Sequence, residues 1–142
     1  INFYPPYLFS GISLRSVAKD FTKISVQMKM RWYNRNLVGT HFGGSLYSMC
    51  DPFYMFILME HLGKDYIVWD KAAAIRFRKP GLGTVHATFE IPPAAIAEIK
   101  AKVDETGKGD FTFHTNVYNE HSDVVAEVEK VVYVRRKQKK AA

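Results

Sequence analysis

From Lys23 onward the chain alternates. Ile24, Val26, Met28, Met30 and Trp32 fall on one face, and Ser25, Gln27, Lys29, Arg31 and Tyr33 on the other. That is the period-two pattern of a half-buried strand. Asn34-Arg35-Asn36 ends it with turn chemistry. Gly43-Gly44 then opens the most apolar stretch in the chain, which runs through Leu46, Met49, Cys50, Phe53, Tyr54, Phe56, Ile57, Leu58 and Met59 to Leu62. Apolar side chains point in nearly every direction, which predicts a helix buried all round. Gly63 supplies a C-terminal glycine stop. Pro52 lies one turn in, where the missing N–H costs a hydrogen bond and bends the axis.

Two strands are predicted next, Ile67 to Phe77 and Thr84 to Ile91, joined by the turn Lys79-Pro80-Gly81-Leu82-Gly83. Pro92-Pro93 starts a short helix over Ala94 to Val103, with Ile96, Ile99 and Val103 on one stripe. Gly107 to Asp110 reads as a loop. Phe111 to Asn119 and Val124 to Val134 then form a hairpin about the turn Glu120-His121-Ser122-Asp123. Ahead of the first strand, Asn2 to Ser10 carries Pro5-Pro6 and reads as an arm or short helix, while Leu14 to Phe21 suits a helical or an extended piece equally.

A helix that is apolar all round needs a sheet curled about it. The expectation is therefore an α+β fold: one hot-dog domain, a curved antiparallel sheet of five or more strands wrapped round a long central helix. Its core spans about residues 23–134, with an N-terminal arm or short helix over 1–22 and a basic tail over 135–142. A cystatin-like or other α+β roll is the main competitor. The 142 residues suit one domain, since domains commonly hold about 100–200 residues. Ile1 stands where a Met would begin a chain, so a trimmed start is expected.

The net charge of +6 changes this picture little. Arg135-Arg136-Lys137-Gln138-Lys139-Lys140 carries five of the positive charges, so the excess sits at one end and not on a folded face. No RNA-binding signature or zinc-finger spacing supports a nucleic-acid partner. No apolar run reaches the roughly 18–20 residues of a membrane span. Cys50 is the only cysteine, which excludes an intrachain disulfide and a cysteine-rich metal site and suits a reducing, cytoplasmic setting.

Two segments are similar to a known family. His41-Phe42-Gly43-Gly44, followed by Asp51 seven residues after the second glycine, resembles the His-Gly-Gly-(six residues)-Asp signature of hot-dog acyl-CoA thioesterases of the phenylacetate-degradation type. Ile75-Arg76-Phe77-Arg78-Lys79-Pro80-Gly81-Leu82-Gly83 resembles the strand and turn that follow the central helix in those enzymes. The nearest look-alikes are small tetrameric-thioesterase-like domains, many without an assigned substrate, and the likeness covers roughly Lys23 to Val134. One departure is plain: Phe42 separates the histidine from the glycines, which are adjacent in the phenylacetate-type enzymes.

The resemblance implies hydrolysis of an acyl-CoA thioester to free acid and coenzyme A, with no cofactor beyond the coenzyme A of the substrate. The carbonyl oxygen must be held by donors, and a helix N-terminus begun by glycine offers N–H groups that a ligand can approach closely. The amide of Gly44, or that of Ser45, is the candidate donor. By resemblance Asp51 is the general base for water, or a nucleophile forming an anhydride. His41 is either a substrate contact or a loop anchor, and Ser45 lacks the His and Asp a serine nucleophile needs. Gly43, Asn36, Arg76, Arg78 and Lys79 are candidate substrate-binding positions, the basic residues toward the phosphates of coenzyme A. The look-alikes join two sheets edge to edge with sites at the subunit interface, so a homodimer or homotetramer is expected. A non-catalytic binding module for an acyl or CoA-like ligand is the alternative. A hot-dog dehydratase is weaker, because its hydratase-type motif is not visible.

Overall fold

The apolar run after Gly43 forms two helices and not one. In the computed structural model, which describes residues 1–138, α2 spans Gly43–Ser48 and α3 spans Phe53–Leu62. Helical backbone is disfavoured for a residue that precedes proline, and Pro52 follows Asp51 directly. The chain therefore leaves α2 at Met49, turns through Cys50 and Asp51, and restarts with Pro52 as the N-cap of α3. The expected continuous helix is corrected on this point, and the break is what sets Asp51 in a turn between two helix ends.

The remaining elements are α1 (Pro5–Ser10), β1 (Ile12–Val17), β2 (Lys23–Lys29), β3 (Tyr66–Phe77), β4 (Thr84–Glu90), α4 (Pro93–Thr106), β5 (Lys108–Tyr118) and β6 (Val124–Arg136). The six strands form one sheet in the order β1-β2-β4-β5-β6-β3, every neighbouring pair antiparallel. Of the segment whose pattern suited helix or strand, Leu14 to Val17 is extended within β1 and pairs with β2, and the rest turns the chain into β2. Several boundaries differ from expectation, among them three that change which residues pair. β2 stops at Lys29, so Trp32 lies beyond it in an exposed turn. β5 begins at Lys108, so the expected loop there is strand. β6 takes in Arg135 and Arg136, two residues of the expected tail; the part of the tail from Lys139 lies outside the described residues.

This is the hot-dog arrangement. The curved sheet wraps α3, whose Phe53, Tyr54, Ile57, Leu58 and Leu62 are buried. Phe53 stacks on Phe89 of β4 at 4.9 Å between ring centroids, and Tyr54 stacks on Phe113 of β5 at 4.8 Å. The Tyr54 hydroxyl donates to the carbonyl of His114 at 2.6 Å, which satisfies its polar end inside the core. α4 closes one end with the expected stripe of Ile96, Ile99 and Val103. β1 and β3 are the two edges of the sheet. β3 carries a bulge between Asp70 and Ala72, which gives Lys71 no partner in the register with β6. Such a bulge re-aims the side chains beside it.

Candidate active site

β6 presents Ala126, Val128, Val132 and Val134 to the interior, and Lys130 stands in the same row. Its side chain is wholly inaccessible to solvent. An ammonium in that place must be paired, and it is paired three times. Lys130 Nζ donates to Asp51 Oδ1 at 2.9 Å and to the Tyr47 hydroxyl at 3.1 Å, and lies 3.3 Å from Asp70 Oδ2. Burial alone pulls the lysine pKa down. The hydrogen bonds with Asp51 and Tyr47 and the charges of Asp70 and Asp51 outweigh it, and the net shift is upward.

The Tyr47 hydroxyl also donates to Asp51 Oδ1, at 2.7 Å. Tyr47 and Asp51 are four residues apart, and the end of α2 with the turn after it brings both to one place. Oδ1 thus receives two donors, while Oδ2 accepts no hydrogen bond among the described residues. The Asp51 side chain is 49% exposed, so this second oxygen belongs to a carboxylate that a ligand can reach. Asp70 differs. Burial raises its carboxyl pKa, Lys130 partly reverses that, and Asp51 adds to it. Asp70 Oδ1 is buried with no hydrogen-bond partner.

Cavities flank Asp51 on two sides. One, of about 510 Å³, is walled largely by aromatic and proline rings from Tyr4, Pro6, Tyr7, Pro52 and Phe56. The other is polar, lies along edge strand β3, and includes Asp70, Lys71 and Lys130. Tyr47 lines both.

The other sequence-derived candidates do not gather at Asp51. His41, Asn36, Gly43, Arg78 and Lys79 line one groove, together with Phe77. His41 is a buried anchor there. Its backbone N–H donates to Gly81 O at 2.9 Å, and its Nε2 meets Gly83 O at 2.8 Å. A carbonyl can only accept, so Nε2 carries the proton and the buried, unpartnered Nδ1 is left bare. Burial lowers the His41 pKa more than the Gly83 bond raises it. Asn36 is occupied as a turn organiser: Oδ1 accepts from the amides of Val38 and Thr40, and Nδ2 donates to Thr40 Oγ1. Arg78 pairs with Glu127 at 2.8 Å and Lys79 with Asp123 at 3.1 Å. Arg76 lines a separate polar groove with His114, Asn116 and Glu129.

The two glycines sit beneath aromatic rings. A Cβ on Gly44 would come within 2.5 Å of the Phe42 ring, and one on Gly43 within 3.0 Å of the Phe77 ring. Phe42, the residue that departs from the family pattern, is therefore the one that covers Gly44. Of the two candidate oxyanion donors, the Ser45 amide is committed to Phe42 O at 3.0 Å. The Gly44 amide has no acceptor among the described residues, as expected for the first turn of a helix. Cys50, next to Asp51, is inaccessible, and burial pushes its thiol pKa up to about 12.

Lys130, Asp70 and Tyr47 are the residues that sequence reasoning missed. Lys130 was legible: it interrupts an inward row of Ala and Val in a strand whose outward row holds Glu127, Glu129 and Tyr133. Among the described residues, no cluster of three or more His, Cys, Asp or Glu is placed to hold a metal ion, and no helix is long and apolar enough to cross a membrane.

Comparison with known proteins places the fold. The model of a domain of unknown function (DUF4442) matches residues 1–134. No curated protein matches the chain. Among solved structures, a protein of unknown function from Pseudomonas aeruginosa, described as a probable thioesterase, superposes with a TM-score of 0.81 at 19% identity, covering 96% of this chain and 89% of that one. A thioesterase from Haemophilus influenzae gives a TM-score of 0.70 at 10% identity, covering 99% and 90%. A thioesterase from Staphylococcus aureus gives 0.68 at 12% identity, covering 92% and 98%. At these identities the likeness is one of fold.

Proposed function

We propose that this chain, which belongs to the DUF4442 domain family, is an acyl-CoA thioesterase in which Asp51 is the general base. The observation that carries the reading is the Asp51 carboxylate itself. One oxygen is clamped by Lys130 and Tyr47, and the other belongs to a half-exposed group between two cavities. A carboxylate held by one oxygen is oriented without being consumed. Asp51 Oδ2 takes a proton from water, the hydroxide oxygen attacks the thioester carbon, and the C–S bond breaks as the thiolate leaves and is protonated. The thioesterase-like fold shared with solved structures, and the Gly44-to-Asp51 spacing, agree with this chemistry.

The carbonyl oxygen needs a donor, and the Gly44 amide is our choice over Ser45 because the Ser45 N–H is already used. Within one chain Gly43 and Asp51 line different cavities. The reading therefore includes a dimer in which the helix start of one protomer faces Asp51 of its partner, joined along an exposed sheet edge. His41 is assigned to anchoring the loop and not to the chemistry. Arg76, Arg78 and Lys79 are assigned to the phosphates of coenzyme A, the last two exchanging their present carboxylate partners for phosphate. The test is a panel of acyl-CoAs from short to long and aromatic, with detection of free thiol, on wild type and Asp51→Asn. Turnover that is lost in the variant supports the reading. No turnover with any substrate, together with thermal stabilisation by coenzyme A, points to a binding module instead.

A further inference from the structure

The cavity of about 510 Å³ beside Asp51 has a composition unlike the rest of the site. Tyr4 and Tyr7 form one wall, and Phe56 of α3 with Pro52 forms another. The volume lies within the roughly 300–1,000 Å³ of small-molecule sites. No Lys or Arg is among its lining residues. Three of its four hydroxyls are already committed: Tyr7 donates to Ser48 O at 3.1 Å, Ser48 to Gly44 O at 2.9 Å, and Tyr47 to Asp51 Oδ1, while that of Tyr4 belongs to the exposed rim. Beyond that rim, the unfilled acceptor on its wall is Asp51 Oδ2. A phosphate placed there would meet no Lys or Arg and would lie against the Asp51 carboxylate. An uncharged hydrocarbon group would lose nothing and would leave its polar end at the carboxylate.

We infer that this cavity seats the apolar acyl group of the substrate, and that Tyr4 and Phe56 set how long a group it admits; the inference rests on Asp51 being the hydrolytic base. The two residues suit a limiting role because both are only partly covered. Tyr7 is buried and ties α1 to the core by packing on Phe53 at 6.2 Å between centroids. Tyr4 meets Tyr7 edge to face at 5.4 Å and is 56% exposed, so it forms a rim. Phe56 meets Phe53 edge to face at 6.2 Å, and its ring faces the cavity from the α3 side. Hydrophobic pockets discriminate by fit, with a methylene too many or too few changing kcat/KM by about tenfold or more.

The experiment is a ladder of saturated acyl-CoAs from acetyl to palmitoyl, measured as kcat/KM on wild type, Phe56→Ala, Phe56→Trp and Tyr4→Ala, each checked for a cooperative unfolding transition. The preferred chain is expected to lengthen in Phe56→Ala and Tyr4→Ala and to shorten in Phe56→Trp. The longest chain accepted by wild type should lose about tenfold or more in Phe56→Trp. A ladder that keeps its optimum in all three folded variants overturns the assignment while leaving hydrolysis by Asp51 intact. If no acyl-CoA is hydrolysed, the proposed reaction fails and the cavity is tested separately by calorimetric titration of decanoate into Asp51→Asn. Binding that weakens in the Asp51→Asn/Phe56→Trp double variant supports the assignment, and absence of binding, or binding that the added Phe56→Trp leaves unchanged, overturns it.

Discussion

Replacing Lys130 by methionine keeps an unbranched chain of similar length in the β6 row and removes only the ammonium. The wild-type group is wholly inaccessible and bridges Asp51, Asp70 and the Tyr47 hydroxyl. Removing one partner of a buried ion pair costs about 3–5 kcal/mol, because the other charge is left without compensation. The lower end applies here, about 3 kcal/mol, since the half-exposed Asp51 can turn to water while Asp70 cannot fully do so. For a chain of this size that is on the order of 10 °C in Tm. The pH dependence is more telling. Burial already raises the Asp70 pKa, and Lys130 is what holds the rise in check. A carboxyl with a raised folded-state pKa stabilises the fold while protonated, and that stability is lost as pH rises through the folded value. Without Lys130 the rise is larger, so the deficit of Lys130→Met should be greater at pH 8 than at pH 5. Urea unfolding at both pH values measures it. A deficit below about 1 kcal/mol, or one equal at the two pH values, would refute the coupled cluster.

Three further outcomes follow from the geometry. Burial lowers the His41 pKa, so its contribution to stability is present above the unfolded value of about 6.5 and is lost as pH falls through the lower folded value. His41→Gln should flatten the fall in Tm on acidification below that value, and an unchanged acid limb would count against the anchoring role. Gly44→Ala should be mildly destabilising because its Cβ meets the Phe42 ring, and adding Phe42→Ala should restore stability; denaturant midpoints that do not respond to Phe42 would remove that ring as the cause. Cys50, buried and with its thiol raised to about 12, should react with a thiol reagent only on unfolding; rapid labelling of the native protein at pH 8 contradicts the structure.

Regular alternation was the legible part of the fold. Ile24, Val26 and Met28 on β2, and Val85, Ala87 and Phe89 on β4, face inward as their spacing requires. The pattern misled where an aromatic extended it: Trp32 continues the period of β2 yet stands 81% exposed past its end. Apolar content alone cannot tell one buried helix from two in line, and the backbone preference of the residue before Pro52 decided between them. β1 was ambiguous because an edge strand of short, mixed residues carries little period. At the candidate site, Asp51 stood out as a lone acid in an apolar run. Its partners did not, because Lys130 and Asp70 are 79 and 19 residues further along the chain and meet Asp51 only after β6 and β3 pair. Phe42, read as a disruption of the His-Gly-Gly motif, proves to be the ring laid over Gly44.

The most direct test is kcat for the best acyl-CoA with Asp51→Asn, a substitution that keeps the side-chain shape and an oxygen for Tyr47 and Lys130 to bond. A general base contributes about 10²–10⁴-fold, so kcat should fall by about that factor in a variant that still unfolds cooperatively. A folded Asp51→Asn variant that keeps kcat within about threefold of wild type would contradict the account.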